Sequence, residues 1–299
     1  MRKQILTTSK RLLRHVSSKS IQKRLGYPRD TKLLIIHADD LGISGSENAA
    51  SFEAIEKGMV NSGSVMATCP KFREVADYSK THPDSDIGIH LTLTSEWPSY
   101  KWGPLLHPDE SKSITDQQGY FFENKTDLEK EFIPVEVEKE LRAQIDKMIE
   151  SGIDLTHIDT HMFTAFSNNE ILKIYISLGK EYKLPVLLID ELPYHTLNFN
   201  KTIIVDRLYY AKPEDNIAGL TNYYRETLRS IGPGLNCILV HLAFNNEEMK
   251  DITTGQLNYG AAWRQTDFDF FTSNECHQLI KNNNIHLITW REIRDKLFL

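Results

Sequence analysis

The chain has 299 residues, 40% of them hydrophobic and 25% charged, and a formal net charge of −6. That is ordinary globular composition, which excludes disordered, collagen-like and membrane-spanning classes. No stretch approaches the roughly 20 continuous apolar residues of a membrane span, and MRKQILTTSKRLLRHVSS at the start lacks the apolar core of a secretory signal. A soluble, cytoplasmic protein is expected.

Residues 1–32 carry ten Lys/Arg against a single acid, Asp30, so the acidic balance belongs to the rest of the chain. Such a basic arm suits nucleic acid, an anionic membrane surface or targeting. Ile5, Leu6, Leu12, Leu13, Val16, Ile21 and Leu25 interleave with the charges, which favours an amphipathic helix packed on the outside of the domain. Neither nucleic acid nor a membrane span is expected as a partner. Cys69, Cys237 and Cys276 are far apart, without a CxxC pair, and read as reduced thiols.

From residue 33 onward no linker or repeat marks a boundary, and 33–299 reads as one domain. Apolar runs at 33–38, 64–69, 87–93, 155–160, 184–189, 237–243 and 285–290, with 202–205 as a weaker eighth, predict strands. Helical spacing lies between them in SENAASFEAIEKG, KFREVADYSK, PVEVEKELRAQIDKMIESG, NNEILKIYISLGKEY and DFFTSNECHQLIKNN. Strands alternating with helices give a parallel α/β sheet. Seven or eight units without a glycine-rich first turn predict a closed (β/α) barrel rather than an open doubly wound sheet.

Segment 94–133 follows the third strand and contains Trp97, Tyr100, Trp102, Tyr120, Phe121 and Phe122. Long loops in compact domains are commonly lids or binding loops, so these rings suit either the faces of a sugar or a local mini-core that holds the loop down.

Chemistry-bearing residues cluster at strand ends. Asp39 and Asp40 follow the first strand, His90 lies late in the third, His157, Asp159 and His161 run off the fourth, and His241 ends a later one. In a parallel barrel all the C-terminal strand ends open on one face, so these segments converge. Imidazole and carboxylate together suit a divalent metal with open positions. Period-two alternation puts His157, Asp159 and His161 on one side, where one histidine can ligate while Asp159 orients a ligand. Of the two adjacent aspartates, one can bind metal while the other takes a proton. Trp263, Arg264 and Asp267, in AAWRQTDFDF, sit just before a predicted helix; Arg264 either holds a catalytic carboxylate or belongs to a capped helix start. The chain has no GxGxxG, Walker lysine or GxSxG elbow.

At HADDLG (37–42), GIHLTL (88–93), THIDTH (156–161) and VHLAF (240–244) the sequence resembles the YdjC-like carbohydrate deacetylases, which are related to the NodB-type polysaccharide deacetylases; WREI (290–293) fits the same pattern. The resemblance implies a seven-stranded (β/α) barrel, a divalent metal on Asp40, His90 and His161, Asp39 as base and His241 as general acid. Many relatives continue the fourth motif as HxDxHxH, where this chain has Phe163, and many have His-Pro-Gly where it has His241-Leu242-Ala243. The expected activity is removal of an acetyl group from an N-acetylated sugar, with one Mg or Zn ion, a small carbohydrate substrate and scope for a homo-oligomer. His157, Asp159, Arg264, Trp97 and Trp102 are expected to support the ligands or contact substrate. The alternatives are a carbohydrate-binding protein on a catalytically retired barrel, and a metal-dependent hydrolase of another amide or a phosphoester. Phosphoester chemistry would favour clustered Lys/Arg at the strand ends, where this chain has acids and imidazoles.

Overall fold

Every residue of Leu33–Leu41 is buried, as expected for a strand covered on both faces. The computed structural model describes residues 20–189 and 203–299. Its elements run α1 (Ile21–Leu25), β1 (Lys32–Leu41), α2 (Gly45–Lys57), β2 (Ser62–Val65), α3 (Phe72–Thr81), β3 (Ile87–Leu91), α4 (Lys125–Glu131) and α5 (Pro134–Glu150). Next come β4 (Ile158–Thr160), α6 (Asn169–Glu181), β5 (Leu187–Ile189), β6 (Ile203–Val205), β7 (Arg207–Tyr209), α7 (Asn216–Ser230) and β8 (Gly234–Val240). The chain closes with α8 (Glu247–Ile252), α9 (Ala261–Phe271), α10 (Asn274–Asn282), β9 (Ile285–Leu287) and α11 (Trp290–Leu297).

All ladders between these strands are parallel. The main sheet runs β4-β3-β2-β1-β8-β7, and β9 pairs with the start of β1, at Lys32 to Leu34, below the point where β2 takes over the same edge. β5 and β6 form a separate pair, joined to β4 by a single bridge between Ile158 and Val186. The sheet is therefore a curled half-barrel, and among the described residues its ladders do not close into the expected seven-stranded ring. The opening lies at β5 and β6, three residues each, which among the described residues ladder with one another and with no strand of the main sheet.

Alternation sorts the core into two sides. Leu33, Ile35, Leu235, Cys237 and Leu239 join Ile203, Val205, Leu187 and Trp290 inside the curl, whereas Leu34, Ile36, Ala38, Ile238 and Val240 pack outward against helices. Because the inner row of β1 is Leu33, Ile35, His37, Asp39, its apolar start leads to a polar end at the C-terminal mouth.

Several boundaries differ from the sequence reading. AAWRQTDFDF is itself helix α9 rather than the approach to one, and it is separated from α10 at Ser273, whose hydroxyl caps α10 by accepting from Cys276 N. The 202–205 run is strand β6 from Ile203, while Thr202 lies outside the described residues. β7 and α7 are not among the predicted elements, although α7 buries Leu220, Tyr224, Thr227 and Leu228 at helical spacing. Segment 94–133 is not bare loop, since it holds two 3-10 turns and α4. Lys32, assigned to the basic arm, already belongs to β1. Residues 1–19 of the arm lie outside the described residues, and α1 is not an external decoration: Leu25, 3% exposed, packs in the inner cluster with Leu33, Leu235, Trp290 and Ile293.

Candidate metal centre

The site forms where the inner rows of β1, β3, β4 and β8 reach the mouth. Asp39 continues the inward alternation of β1, and Asp40 would face outward on a straight strand. Its φ of 69° breaks the alternation, a left-handed conformation that Asp tolerates better than most residues, and Gly42 follows at φ 99°. A Cβ on Gly42 would stand 3.1 Å from Met66 O, so this turn requires glycine twice over, for its φ and for its space. The turn is fastened by Gly42 N donating to Asn48 Oδ1 at 2.8 Å and ends in α2, which is capped by Ser44.

His90 and Asp159 are direct partners across the β3–β4 ladder. Asp159 Oδ1 lies 2.8 Å from His90 Nδ1, and its Oδ2 accepts from Ser64 Oγ at 2.8 Å and lies 2.9 Å from His37 Nε2. With Nδ1 so occupied, His90 turns Nε2 toward Asp40 Oδ1, 3.4 Å away. His161, leaving β4, places Nδ1 3.2 Å from the same Asp40 oxygen and Nε2 2.9 Å from Glu96 Oε2. His241, at the end of β8, brings Nε2 to 3.9 Å from Asp39 Oδ2 and 3.7 Å from Asp40 Oδ2; its backbone N donates to Asp267 Oδ2 at 3.1 Å. Asp39, Asp40, His90, His161 and His241 thus meet at one place. Of the five, the His241 side chain is the most accessible, at 22%.

Asp40 Oδ2 accepts from Arg264 Nη2 at 3.0 Å. The same guanidinium bonds Glu47 and donates from Nε to Tyr259 O at 2.8 Å, and it lies 5.3 Å over the Trp97 ring. Arg264 therefore reaches a site carboxylate from the first turn of α9. Trp97 and Trp102 are 3% and 2% exposed, packed edge to face at 5.7 Å, with Trp102 Nε1 donating to Thr94 O. These indoles form the mini-core rather than an open sugar platform; Tyr120 is the exposed ring of the segment. His157 is fully buried, bonded at Nδ1 to Thr156 Oγ1 and stacked 5.2 Å from Trp290. Gly88 makes room for it, since a Cβ there would meet the imidazole at 2.3 Å. Phe163 packs on Phe166 and Tyr210, and both it and Met162 adopt left-handed φ where the chain turns away from His161.

Three residues that the sequence reading did not assign complete the constellation. His37 was visible in principle from its place in the inner row of β1. Glu47, buried opposite Arg264, sits three residues after the Ser44 cap. Glu96 is the sole acid between His90 and Lys101, which is a weak signal.

Charge balance holds these groups together. Burial alone would raise the Asp40 carboxyl, but the bonds from His161 and His90 and the nearby His241 hold it well below the usual range. Burial would lower His161, yet Glu96 and Asp40 bring it up to about 9, and Asp159 and Asp39 lift His37 to about 9 against the same penalty. Burial and the neighbouring His37 keep His157 well below its ordinary value, hence neutral. Burial pushes Glu47 well up despite Arg264, and lowers His241.

The donor set fits a divalent cation. Asp40, His90 and His161 are buried and each offers a ligand atom within 4.8 Å of the others. Both imidazoles carry a carboxylate on the far nitrogen, as metal-binding histidines commonly do, and Asp39 Oδ1 is buried 3.2 Å from His37 Nε2. His37, His157 and Asp159, and also Asp39, His90 and Asp159, satisfy the same distance limit. Those two groups share Asp159, whose oxygens are already engaged by His90, His37 and Ser64.

Comparison with known proteins places the chain in a family. Residues 33–282 match the family profile described as YdjC-like protein. A carbohydrate deacetylase of Brevibacillus brevis is 30% identical over 264 residues, covering 87% of this chain and 99% of that protein. A carbohydrate deacetylase of Thermus thermophilus is 28% identical over 278 residues, covering 89% and 96%. Among solved structures, an Enterococcus faecalis protein named for a suggested role in cleaving cellobiose phosphate superposes with a TM-score of 0.75 at 25% identity, covering 88% of this chain and 99% of its own. The matched span takes in β1 to β8 and every residue of the constellation, and the chain belongs to the YdjC-like family.

Proposed function

We propose that this chain is a metal-dependent hydrolase that removes the acetyl group from an N-acetylated sugar or oligosaccharide. The observation that carries the reading is the meeting of Asp39 and His241 over a three-residue donor set whose two imidazoles are each fixed by a carboxylate. The names of the relatives above support the reaction class. Asp40, His90 and His161 would hold one divalent ion, Mg or Zn. When bound, such an ion supplies Lewis acidity: it polarises a carbonyl and lowers the pKa of water to about 7.

The chain's own groups divide the proton transfers. Asp39, which lies outside the Asp40, His90 and His161 set and within 3.9 Å of His241, accepts a proton from the water that attacks the acetyl carbon. The C–N bond breaks as His241 gives a proton to the departing amine, so amide and water become acetate and amine. Burial lowers the pKa of His241, which makes its protonated form a stronger acid. Arg264 keeps Asp40 oriented, and Asp159 keeps His90 in the tautomer with a free Nε2. The apolar inner cluster lies beneath them inside the curl of the sheet.

The test is acetate release from a panel of N-acetylated mono- and oligosaccharides, using protein stripped of metal and then supplied with Zn, Co, Mn or Mg. Acetate that appears on adding metal supports the reading. Absence of a stoichiometric divalent ion after mild purification, together with no gain on adding any of the four, overturns it.

A further inference from the structure

The two candidate ligand histidines are held in opposite senses. His90 has its Nδ1 against Asp159 and its Nε2 toward Asp40. His161 has Nε2 against Glu96, at 2.9 Å, and Nδ1 toward Asp40, at 3.2 Å. A neutral imidazole carries one N–H and one lone pair, so a carboxylate at one nitrogen draws the N–H there and leaves the lone pair at the other. Asp159 therefore leaves the lone pair of His90 on Nε2, and Glu96 leaves that of His161 on Nδ1. Both nitrogens face the same oxygen of Asp40: protonated, they donate to it, and neutral, they would offer their lone pairs to a cation beside it.

Asp159 is strand-borne, whereas Glu96 stands in the turn that opens segment 94–133. That turn is fastened independently of the site. Ser95 N donates to Phe122 O at 2.9 Å, Lys101 Nζ to Ser95 O at 2.7 Å and Trp102 N to Ser95 Oγ at 3.0 Å. The Trp102 ring then meets His161 edge-on at 5.8 Å. Glu96 is thus presented to His161 by a braced turn, with its side chain 22% accessible.

We infer that Glu96 is a positioning residue for the metal centre: its carboxylate sets the tautomer and ring orientation of His161, and so raises the cation affinity of the site. The inference rests on the proposed role of His161 as a ligand. Removal of an outer carboxylate from a metal-bound histidine typically costs about 10–100-fold in affinity, so the effect is measurable without turnover.

The experiment titrates metal-stripped full-length protein with Co2+ alone, following its visible absorption, for the wild type and for Glu96→Ala, Glu96→Gln, Lys101→Met and His161→Ala. Thermal melting of the apo forms checks folding. Glu96→Ala is expected to bind about 10–100-fold more weakly. Glu96→Gln, whose amide oxygen still accepts from Nε2–H, should recover part of that loss. Lys101→Met, which loosens the same turn without touching His161, should stay within about twofold of wild type. Three results overturn the inference: Glu96→Ala binding within twofold of wild type, Lys101→Met losing as much as Glu96→Ala, or Glu96→Gln losing binding as completely as His161→Ala, which would make Glu96 a ligand. Failure of the wild type itself to bind Co2+ instead overturns the metal reading, and it is read from that sample alone.

Discussion

Asp39 and Asp40 are neighbours in the chain, yet both present an oxygen to His241 Nε2, at 3.9 and 3.7 Å. The left-handed φ of Asp40 makes this geometry possible by turning the second carboxylate back toward the first. Their other partners differ. Asp40 faces His90, His161 and Arg264, while Asp39 faces His37, 3.2 Å away. Identical chemistry is thereby given two jobs.

Asp40→Asn is expected to lose bound metal and activity together, because a neutral amide is a poor ligand for a divalent cation. Asp39→Asn should retain metal and fold but lose about 10²–10⁴-fold in turnover, the usual worth of a general base. Metal content and acetate release measured on both variants decide the matter. Loss of metal in Asp39→Asn would show that the roles are exchanged.

Arg264 is 2% exposed and joins Asp40 to Glu47. Replacing it with Met keeps much of the volume over Trp97 but leaves two buried acids without their cation. Removing one partner from such a group costs about 3–5 kcal/mol, which urea unfolding would register as a lower midpoint. Arg264→Met combined with Glu47→Gln should recover part of the loss. No recovery would mean that the damage lies in packing on Trp97.

Asp267 supports the backbone of His241 and accepts from Tyr224 Oη at 2.7 Å. Burial raises its carboxyl to about 7 from an ordinary 3.8, against the lowering effects of Tyr224, His241 N–H and Arg264. The native state therefore holds this proton more tightly than the unfolded chain does. Its contribution to stability is complete below about pH 4 and is lost as pH rises through about 7. In Asp267→Asn, which stays neutral, the fall in stability between those values should flatten. An unchanged slope in denaturant midpoints against pH would remove Asp267 as its source.

Leu25 links the otherwise basic N-terminal segment to the interior. Leu25→Ala should cost about 2–5 kcal/mol, the usual range for a buried leucine. Deletion through residue 28 should destabilise at least as much, since it removes all of α1. Thermal melts of the two forms beside the full chain test this, and a truncated form as stable as the full chain would show that the inner cluster does not need α1.

Local pattern alone determined the alternation of strand and helix and the placing of Asp39, His90, Asp159, His161 and His241 at strand ends. Each depends on a period of two or on a strand's last residues, which are properties of a short window. The pairings that finish the site come from tertiary structure. Arg264 meets Asp40 across 224 positions, and His161 meets Glu96 across 65. Neither bond has a local period to betray it. The same holds for the burial of Trp97 and Trp102, which composition leaves open to a sugar and which packing against Arg264 and His161 decides. Closure of the sheet is also a tertiary matter, because it depends on whether three-residue strands find partners on both edges, and here β4 and β5 share a single bridge.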